Sequence, residues 1–299
     1  MEKRKLGKTD MNVSVLGFGG SEIGYERASR ETVAQLLNSA LDAGLNVIDT
    51  AECYYNSEEL IGSAVSDRRK EFYLFTKCGH PQGFGEHADW SKDSILESLQ
   101  RSLRRLKTDK IDIVQLHSCS ETELRDGEAI DALQTARDKG YTRYIGYSGD
   151  SRAAQFAVEC GAFDTLQTSI NIADQEAIDL TLPLAREKQM GVIAKRPIAN
   201  AAWKTGHRPI DSYHHEYFER LRKLNYDFLG GDLNRSISIA LRFTLSTPGV
   251  DTAIVGTRKP ERWRENARLL EGGPLSKTDF RAIRERWEEC APRTWIGQI

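Results

Sequence analysis

An aspartate, a tyrosine, a lysine and a histidine stand at the ends of three short apolar runs in this chain. Asn46-Val47-Ile48 leads into Asp49-Thr50-Ala51-Glu52-Cys53-Tyr54, Phe75-Thr76 ends on Lys77, and Val114-Gln115-Leu116 ends on His117. Side chains alternate along a strand, so Ile111, Ile113, Gln115 and His117 share one face, as do Tyr73, Phe75 and Lys77. A carboxylate, a phenol, an ammonium and an imidazole brought together can perform general acid-base work, and a desolvated Lys77 can form a Schiff base. Singly, each has an ordinary reading as a packed phenol, a structural ion pair or a satisfied core histidine; the joint occurrence points to chemistry. Cys53, Cys78 and Cys119 fall beside these residues. With no CxxC pair and an odd total of 5 cysteines, they read as reduced thiols and not as a metal or disulfide framework. His214-His215 is likewise given no metal.

The elements that must carry these groups repeat one syntax, an amphipathic helix, a glycine and a short apolar run. Val33, Leu36, Leu37, Ala40 and Leu41 mark a helical face before Gly44, and the pattern returns at Gly140, Gly161 and Gly191. A glycine after a helix satisfies the last carbonyls from a left-handed conformation, and near-continuous apolar runs suit parallel strands buried on both faces. Eight strands are expected, beginning near Leu16, Leu45, Phe72, Ile111, Tyr144, Thr165, Gly191 and Thr252. Between two of them Ile95, Leu99, Leu103 and Leu106 form a 3.6-period stripe after a Ser91 cap. Gly17-Phe18-Gly19-Gly20 lacks GxGxxG spacing, so an open dinucleotide-binding sheet is disfavoured against one (β/α)8 barrel, an α/β domain spanning 1–299. Lys3 to Leu6 and Asn12 to Val13 read as a hairpin plugging the barrel floor. Ala199 to Asp232 is a long connection after barrel strand seven, with Trp203, Tyr213, Tyr217 and Phe218, expected over the mouth as a lid or as a rigid, self-packed excursion. Its expected trypsin sites are Lys204, Arg208 and Arg220.

Composition narrows the function. The 42 Lys plus Arg against 44 Asp plus Glu give a net charge of −2, which argues against a nucleic-acid binder. No apolar stretch reaches the roughly 20 residues of a membrane span, and the start is not a signal core, so a cytoplasmic location is expected. No pattern distinguishes a monomer from a homo-oligomer.

Asn46-Val47-Ile48-Asp49-Thr50-Ala51 with Tyr54 and Asn56-Ser57-Glu58, Phe75-Thr76-Lys77, Val114-Gln115-Leu116-His117, and Gly256-Thr257-Arg258-Lys259-Pro260-Glu261-Arg262 with Glu265-Asn266 occur in the order of the aldo-keto reductase superfamily, which the chain resembles from the hairpin to at least Asn266. The resemblance implies a catalytic tetrad of Asp49, Tyr54, Lys77 and His117 that reduces an aldehyde or ketone by hydride transfer. Tyr54 would be the acid, favoured by the Lys77 ammonium; Asp49 would hold Lys77, and His117 would position the carbonyl. It further implies NADPH, with Ser148 and Gln167 on the nicotinamide amide and Thr257, Arg258 and Arg262 around the 2′-phosphate, near Glu265 and Asn266 at adenine. Two departures stand out. Ser148-Gly149-Asp150 lacks the frequent Asn after the serine, so that amide contact is missing or supplied by Asp150; Ala194-Lys195-Arg196-Pro197 lacks the nicotinamide-stacking aromatic, for which Arg196 is the candidate substitute on the ring or the pyrophosphate. Pocket walls are expected from Gly20 to Gly24, Tyr55, Phe84 to Trp90 and the long loop. The competing readings are a Schiff-base aldolase using Lys77 and a nucleotide-binding regulatory subunit with little turnover.

Overall fold

Ten strands and the helices between them follow from the pattern above, as seen in the computed structural model, which describes residues 1–81, 83, 84 and 88–298. The strands are β1 (Lys3–Lys5), β2 (Asn12–Ser14), β3 (Leu16–Gly19), β4 (Val47–Asp49), β5 (Tyr73–Cys78), β6 (Ile111–His117), β7 (Thr142–Ser148), β8 (Thr165–Ser169), β9 (Gly191–Lys195) and β10 (Thr252–Gly256). β3 to β10 close into a barrel in the order β10-β3-β4-β5-β6-β7-β8-β9, with every barrel pair parallel. All eight expected strands are present, and helices surround them.

Local chemistry sets the helix ends. Ser29 caps the helix Arg30–Asp42 by accepting from Thr32 N at 3.1 Å, and Gly44 closes it at φ +96. The cap expected at Ser91 opens the helix Lys92–Arg105, burying Ile95 and Leu99. Gly140 and Gly161 are left-handed as expected, but Gly191 is not a helix terminator. It is the first residue of β9, and the left-handed residue at that junction is Gln189, at φ +53. Glycine is needed at 191 for a different reason, because a Cβ there would meet Leu6 Cγ at 2.7 Å.

That contact belongs to the hairpin. β1 and β2 pair antiparallel, and Leu6, Met11 and Val13 pack with Val47, Phe75, Ile113, Ile193 and Ile254 inside the barrel floor. Asp251 Oδ2 ties the hairpin to the barrel, accepting from Gly7 N at 3.2 Å and Val192 N at 3.0 Å. The remaining apolar faces form a second core between the barrel and its helices. Because Val47, Phe75, Ile113 and Ile193 face inward, so do Asp49, Lys77, Gln115 with His117, and Lys195, two or four residues further toward the carboxyl ends.

The long connection packs against neighbouring segments of the barrel, with Tyr217 Oη donating to Asp174 Oδ2 at 3.0 Å. It contains the helix His215–Leu224, whose Tyr217, Phe218, Arg220, Leu221 and Leu224 are buried, and Trp203 Nε1 donates to Ser236 Oγ at 3.0 Å. Arg220, expected as a trypsin site, is 1% exposed and ion-paired to Glu216 at 2.9 Å, which removes it from that set. Among the described residues no helix is long and apolar enough to cross a membrane.

Candidate active site

Backbone strain marks the barrel mouth. Tyr55, Ser118, Ser151 and Arg196 have φ between +48 and +60, each just past the carboxyl end of a strand or its following residues. Inside this ring the tetrad residues meet. Lys77 Nζ donates to Asp49 Oδ2 at 2.5 Å and to the Thr50 carbonyl at 2.8 Å, with both charged side chains 2% exposed. The ammonium lies 5.2 Å from the centre of the Tyr54 ring, and the Tyr54 and His117 rings are 5.6 Å apart, edge to face.

The turn carrying Tyr54 is held from several sides. Thr50 Oγ1 donates to Ser57 Oγ at 2.9 Å, and Ser57 Oγ donates to the Gly20 carbonyl at 2.7 Å. A Cβ at Gly24 would come within 2.1 Å of the Tyr54 carbonyl, so that close approach requires glycine. Glu52, given no role from the sequence, is a buried clamp: its carboxylate accepts from Gly79 N at 2.9 Å, His80 N at 3.1 Å and the Ser98 hydroxyl. It thereby fixes the backbone directly after Lys77. His80 Nε2 donates to the His117 carbonyl at 2.6 Å. The signal for Glu52 was its place between Asp49 and Tyr54, without any spacing that named its partners.

Electrostatics follow burial. Burial raises the Asp49 carboxyl, opposed by the adjacent Lys77 charge. His117 is held well below its ordinary range, first by burial and then by Lys77, so its imidazole is neutral at physiological pH. Cys53 Sγ lies 3.4 Å from His117 Nδ1, and burial pushes that thiol up to about 12. Burial, with the Asp49 charge next, raises the Tyr54 phenol well above its usual value. Tyr54 is therefore a protonated donor.

The other predicted residues ring the same mouth. Ser148 pairs in register with Gln167, and His117 with Ser148. Gln167 Oε1 accepts from Gln115 Nε2 at 2.9 Å, tying it into the Asp49 network. Asp150 turns to Lys195, at 2.7 Å, and its other oxygen accepts from Thr168 Oγ1 and Ser169 N, so it does not stand in for a free amide donor. Arg196 Nε donates to Tyr213 Oη at 2.6 Å, its guanidinium 5.2 Å from the centre of that ring. Thr257 and Asn266 are buried, whereas Arg258 pairs with Glu26 at 2.5 Å and Arg262 with Glu265 at 3.1 Å. Tyr25, Tyr55 and Phe84 border the tetrad, with Tyr25 5.6 Å from Tyr54 and Phe84 4.8 Å from His117. The pocket wall expected at 85–87 lies outside the described residues. The donor set fits a nicotinamide dinucleotide: three guanidinium groups suit anionic phosphates, and the Ser148 hydroxyl makes no hydrogen bond to a described residue.

Comparison with known proteins agrees with this geometry. A family model for the "Aldo/keto reductase family" matches residues 15–288. The "Uncharacterized oxidoreductase YqkF" of Bacillus subtilis (strain 168) is 29% identical over 97% of each chain. A "Probable voltage-gated potassium channel subunit beta" of Arabidopsis thaliana is 26% identical over 92% of this chain and 93% of its own. The solved "aldo-keto reductase AKR11C1 from Bacillus halodurans (holo form)" superposes with a TM-score of 0.82 at 27% identity, covering 98% of this chain and 99% of that one. With the match spanning nearly the whole barrel and the tetrad assembled at its mouth, this chain belongs to the aldo/keto reductase family.

Proposed function

We propose that this chain, acting as one barrel domain over residues 1–299, is a cytoplasmic NADPH-dependent reductase that converts an aldehyde or ketone to an alcohol. The observation carrying the proposal is the convergence of Asp49, Lys77, Tyr54 and His117 at the carboxyl end of the barrel. Five unpaired cysteines accord with a reducing compartment.

Bound NADPH supplies the hydride. As negative charge grows on the substrate oxygen, Tyr54 delivers its phenolic proton to that atom. Lys77, locked by Asp49, places a cation beside the phenolate left behind and lowers the cost of its formation. His117 is neutral and donates through one ring nitrogen, orienting the carbonyl. Ser148 and Gln167 would hold the nicotinamide amide, Arg196 would serve the ring or the pyrophosphate, Thr257, Arg258 and Arg262 would hold the 2′-phosphate, and Glu265 and Asn266 would serve adenine. Tyr25, Tyr55 and Phe84 narrow the entrance around a small-molecule carbonyl.

A Schiff-base role for Lys77 is disfavoured, since its ammonium is committed to Asp49 and Thr50 at 2.5 and 2.8 Å. The second reading with a specific basis is a regulatory nucleotide-binding subunit, supported by the likeness to the Arabidopsis channel subunit. The test is loss of nicotinamide absorbance across a panel of aldehydes and ketones with NADPH and NADH, repeated with Tyr54→Phe. Turnover in the unmodified protein and a fall of about 10² to 10⁴ in Tyr54→Phe, with NADPH affinity preserved, is expected. Nucleotide binding without turnover on any substrate favours the regulatory reading.

A further inference from the structure

Three cysteines stand beside the tetrad in the sequence, and among the described residues only Cys53 reaches it by hydrogen bond. Cys53 Sγ lies 3.4 Å from His117 Nδ1, whereas Cys78 Sγ is turned to the Gln115 carbonyl at 3.6 Å. Backbone contacts fix both ends of the Cys53 contact. Glu52 N donates to the Lys77 carbonyl at 3.2 Å and Tyr54 N to the Ala51 carbonyl at 3.1 Å, so Cys53 sits in a turn tied to β5. His117 ends β6, where its carbonyl accepts from His80 Nε2 at 2.6 Å and the next amide, Ser118 N, donates to the Ser148 carbonyl at 2.7 Å. Cys53 and His117 are both buried, and what is left to settle between them is the position of a proton.

Burial and charge narrow the choice. Burial pushes the Cys53 thiol up to about 12, so it carries its proton. His117 is neutral, because burial opposes the imidazolium and the neighbouring Lys77, His80, Lys195 and Arg196 all add to that opposition. A neutral imidazole has one N–H donor and one acceptor nitrogen, and the hydrogen bond made by one nitrogen sets the state of the other. If Nδ1–H donated to sulfur, a weak acceptor, the S–H would be left without an acceptor among the described residues and Nε2 would be a bare lone pair. If S–H donates to Nδ1, donor and lone pair satisfy each other and Nε2 bears the proton. Nε2 makes no hydrogen bond to a described residue. Its ring lies edge to face with Tyr54 at 5.6 Å and 4.8 Å from Phe84, at the mouth.

We propose, resting on the carbonyl-reduction reading above, that Cys53 is a positioning residue: its Sγ–H donates to His117 Nδ1 and holds the imidazole as the Nε2–H tautomer, the neutral form that offers a donor at the mouth to a substrate carbonyl. A carbonyl oxygen gaining charge accepts from an N–H and gains nothing from a lone pair. Cys53 acts only through His117.

The test reads the tautomer directly, by long-range proton-nitrogen correlation spectra of unliganded protein labelled with ¹⁵N-histidine at pH 7.5. The chain has 6 histidines, and the His117 signals are those missing from His117→Gln. The unmodified protein is expected to show Nδ1 as a hydrogen-bonded acceptor and Nε2 as the protonated nitrogen. Cys53→Ala should move the Nδ1 signal toward that of a free acceptor and lower kcat/KM for a carbonyl substrate by about two- to tenfold, the size of one modest hydrogen bond, with NADPH affinity unchanged. Cys53→Ser keeps an O–H donor and should restore both to within about twofold. A protonated Nδ1 in the unmodified protein overturns the proposal, as does a Cys53→Ala variant with the parent's Nδ1 signal and kcat/KM. Equal losses in Cys53→Ala and Cys53→Ser, with no change at Nδ1, also overturn it and mark Cys53 as packing. If no carbonyl is turned over, the reductase reading fails and this proposal falls with it; a protonated Nδ1 in a protein that does reduce carbonyls sinks only this proposal.

Discussion

Replacing Lys77 by methionine removes one half of a pair whose two side chains are each 2% exposed and 2.5 Å apart. Breaking such a pair leaves a buried carboxylate without its counter-charge, which costs about 3 to 5 kcal/mol. Asp49 keeps only the amides of Gln115 and Gln167 as donors, and the Thr50 carbonyl loses its partner. With about 2.1 cal/mol/K of unfolding entropy per residue, a chain of 299 residues has a melting entropy of roughly 0.6 kcal/mol/K, so Tm falls by about 5 to 8 °C. The loss depends on pH with a definite sign. Burial already raises the Asp49 carboxyl, and losing Lys77 raises it further. A raised carboxyl contributes stability below its unfolded pKa of about 3.9 and loses it as pH rises through the folded value, so the deficit is smaller at pH 5 than at pH 8. Asp49→Asn combined with Lys77→Met leaves no uncompensated charge and recovers about half of the loss. Thermal melts by circular dichroism at pH 5 and 8, with urea titrations, measure each quantity. A Lys77→Met protein within about 1 kcal/mol of the parent at pH 8, or a double variant no more stable than Lys77→Met alone, refutes the reasoning.

Replacing both Arg258 and Arg262 by alanine should weaken NADPH binding at least tenfold while sparing NADH, and Glu26→Gln, which frees Arg258, should strengthen NADPH by about two- to fivefold; equal affinities for NADPH and NADH in the parent protein defeat the 2′-phosphate assignment. Asp251→Ala deletes two backbone contacts linking the hairpin to the barrel and should cost about 2 to 3 kcal/mol of stability with little effect on turnover. Because burial raises Asp251 to about 6, its contribution is full below about pH 4 and declines as pH climbs through 6, a slope the variant should lack in melts across that range. Trypsin should cut at the exposed Lys204 and Arg208 but not at Arg220, more slowly with saturating NADPH if the connection closes over the cofactor; equal rates with and without cofactor mark it as rigid.

What the sequence determined by itself was periodic or terminal. Strand alternation through Tyr73, Phe75 and Lys77, or through Ile113, Gln115 and His117, is a local property, and it predicts which side chains enter the barrel before the barrel is seen. The helix-glycine-strand syntax together with the other apolar runs gave eight strands, because capping and burial act within about ten residues of chain. The motif order then identified the family. Tertiary structure decided the pairings between distant residues. Asp150 and Lys195 are brought to 2.7 Å by closure of β7, β8 and β9, and no local period encodes that meeting. Glu52 finds Gly79, His80 and Ser98 only once β4 and β5 lie side by side. Gly191 seemed a helix terminator because glycine suits that role, yet the constraint is the approach of Leu6 from the hairpin. Arg220 seemed exposed because arginine usually is; the Gln298-bearing segment and Asp174 enclose it, with its guanidinium 5.4 Å from the centre of the Trp295 ring. Even the direction of the Tyr54 shift was a tertiary matter, since its burial beside Asp49 exists only in the folded barrel.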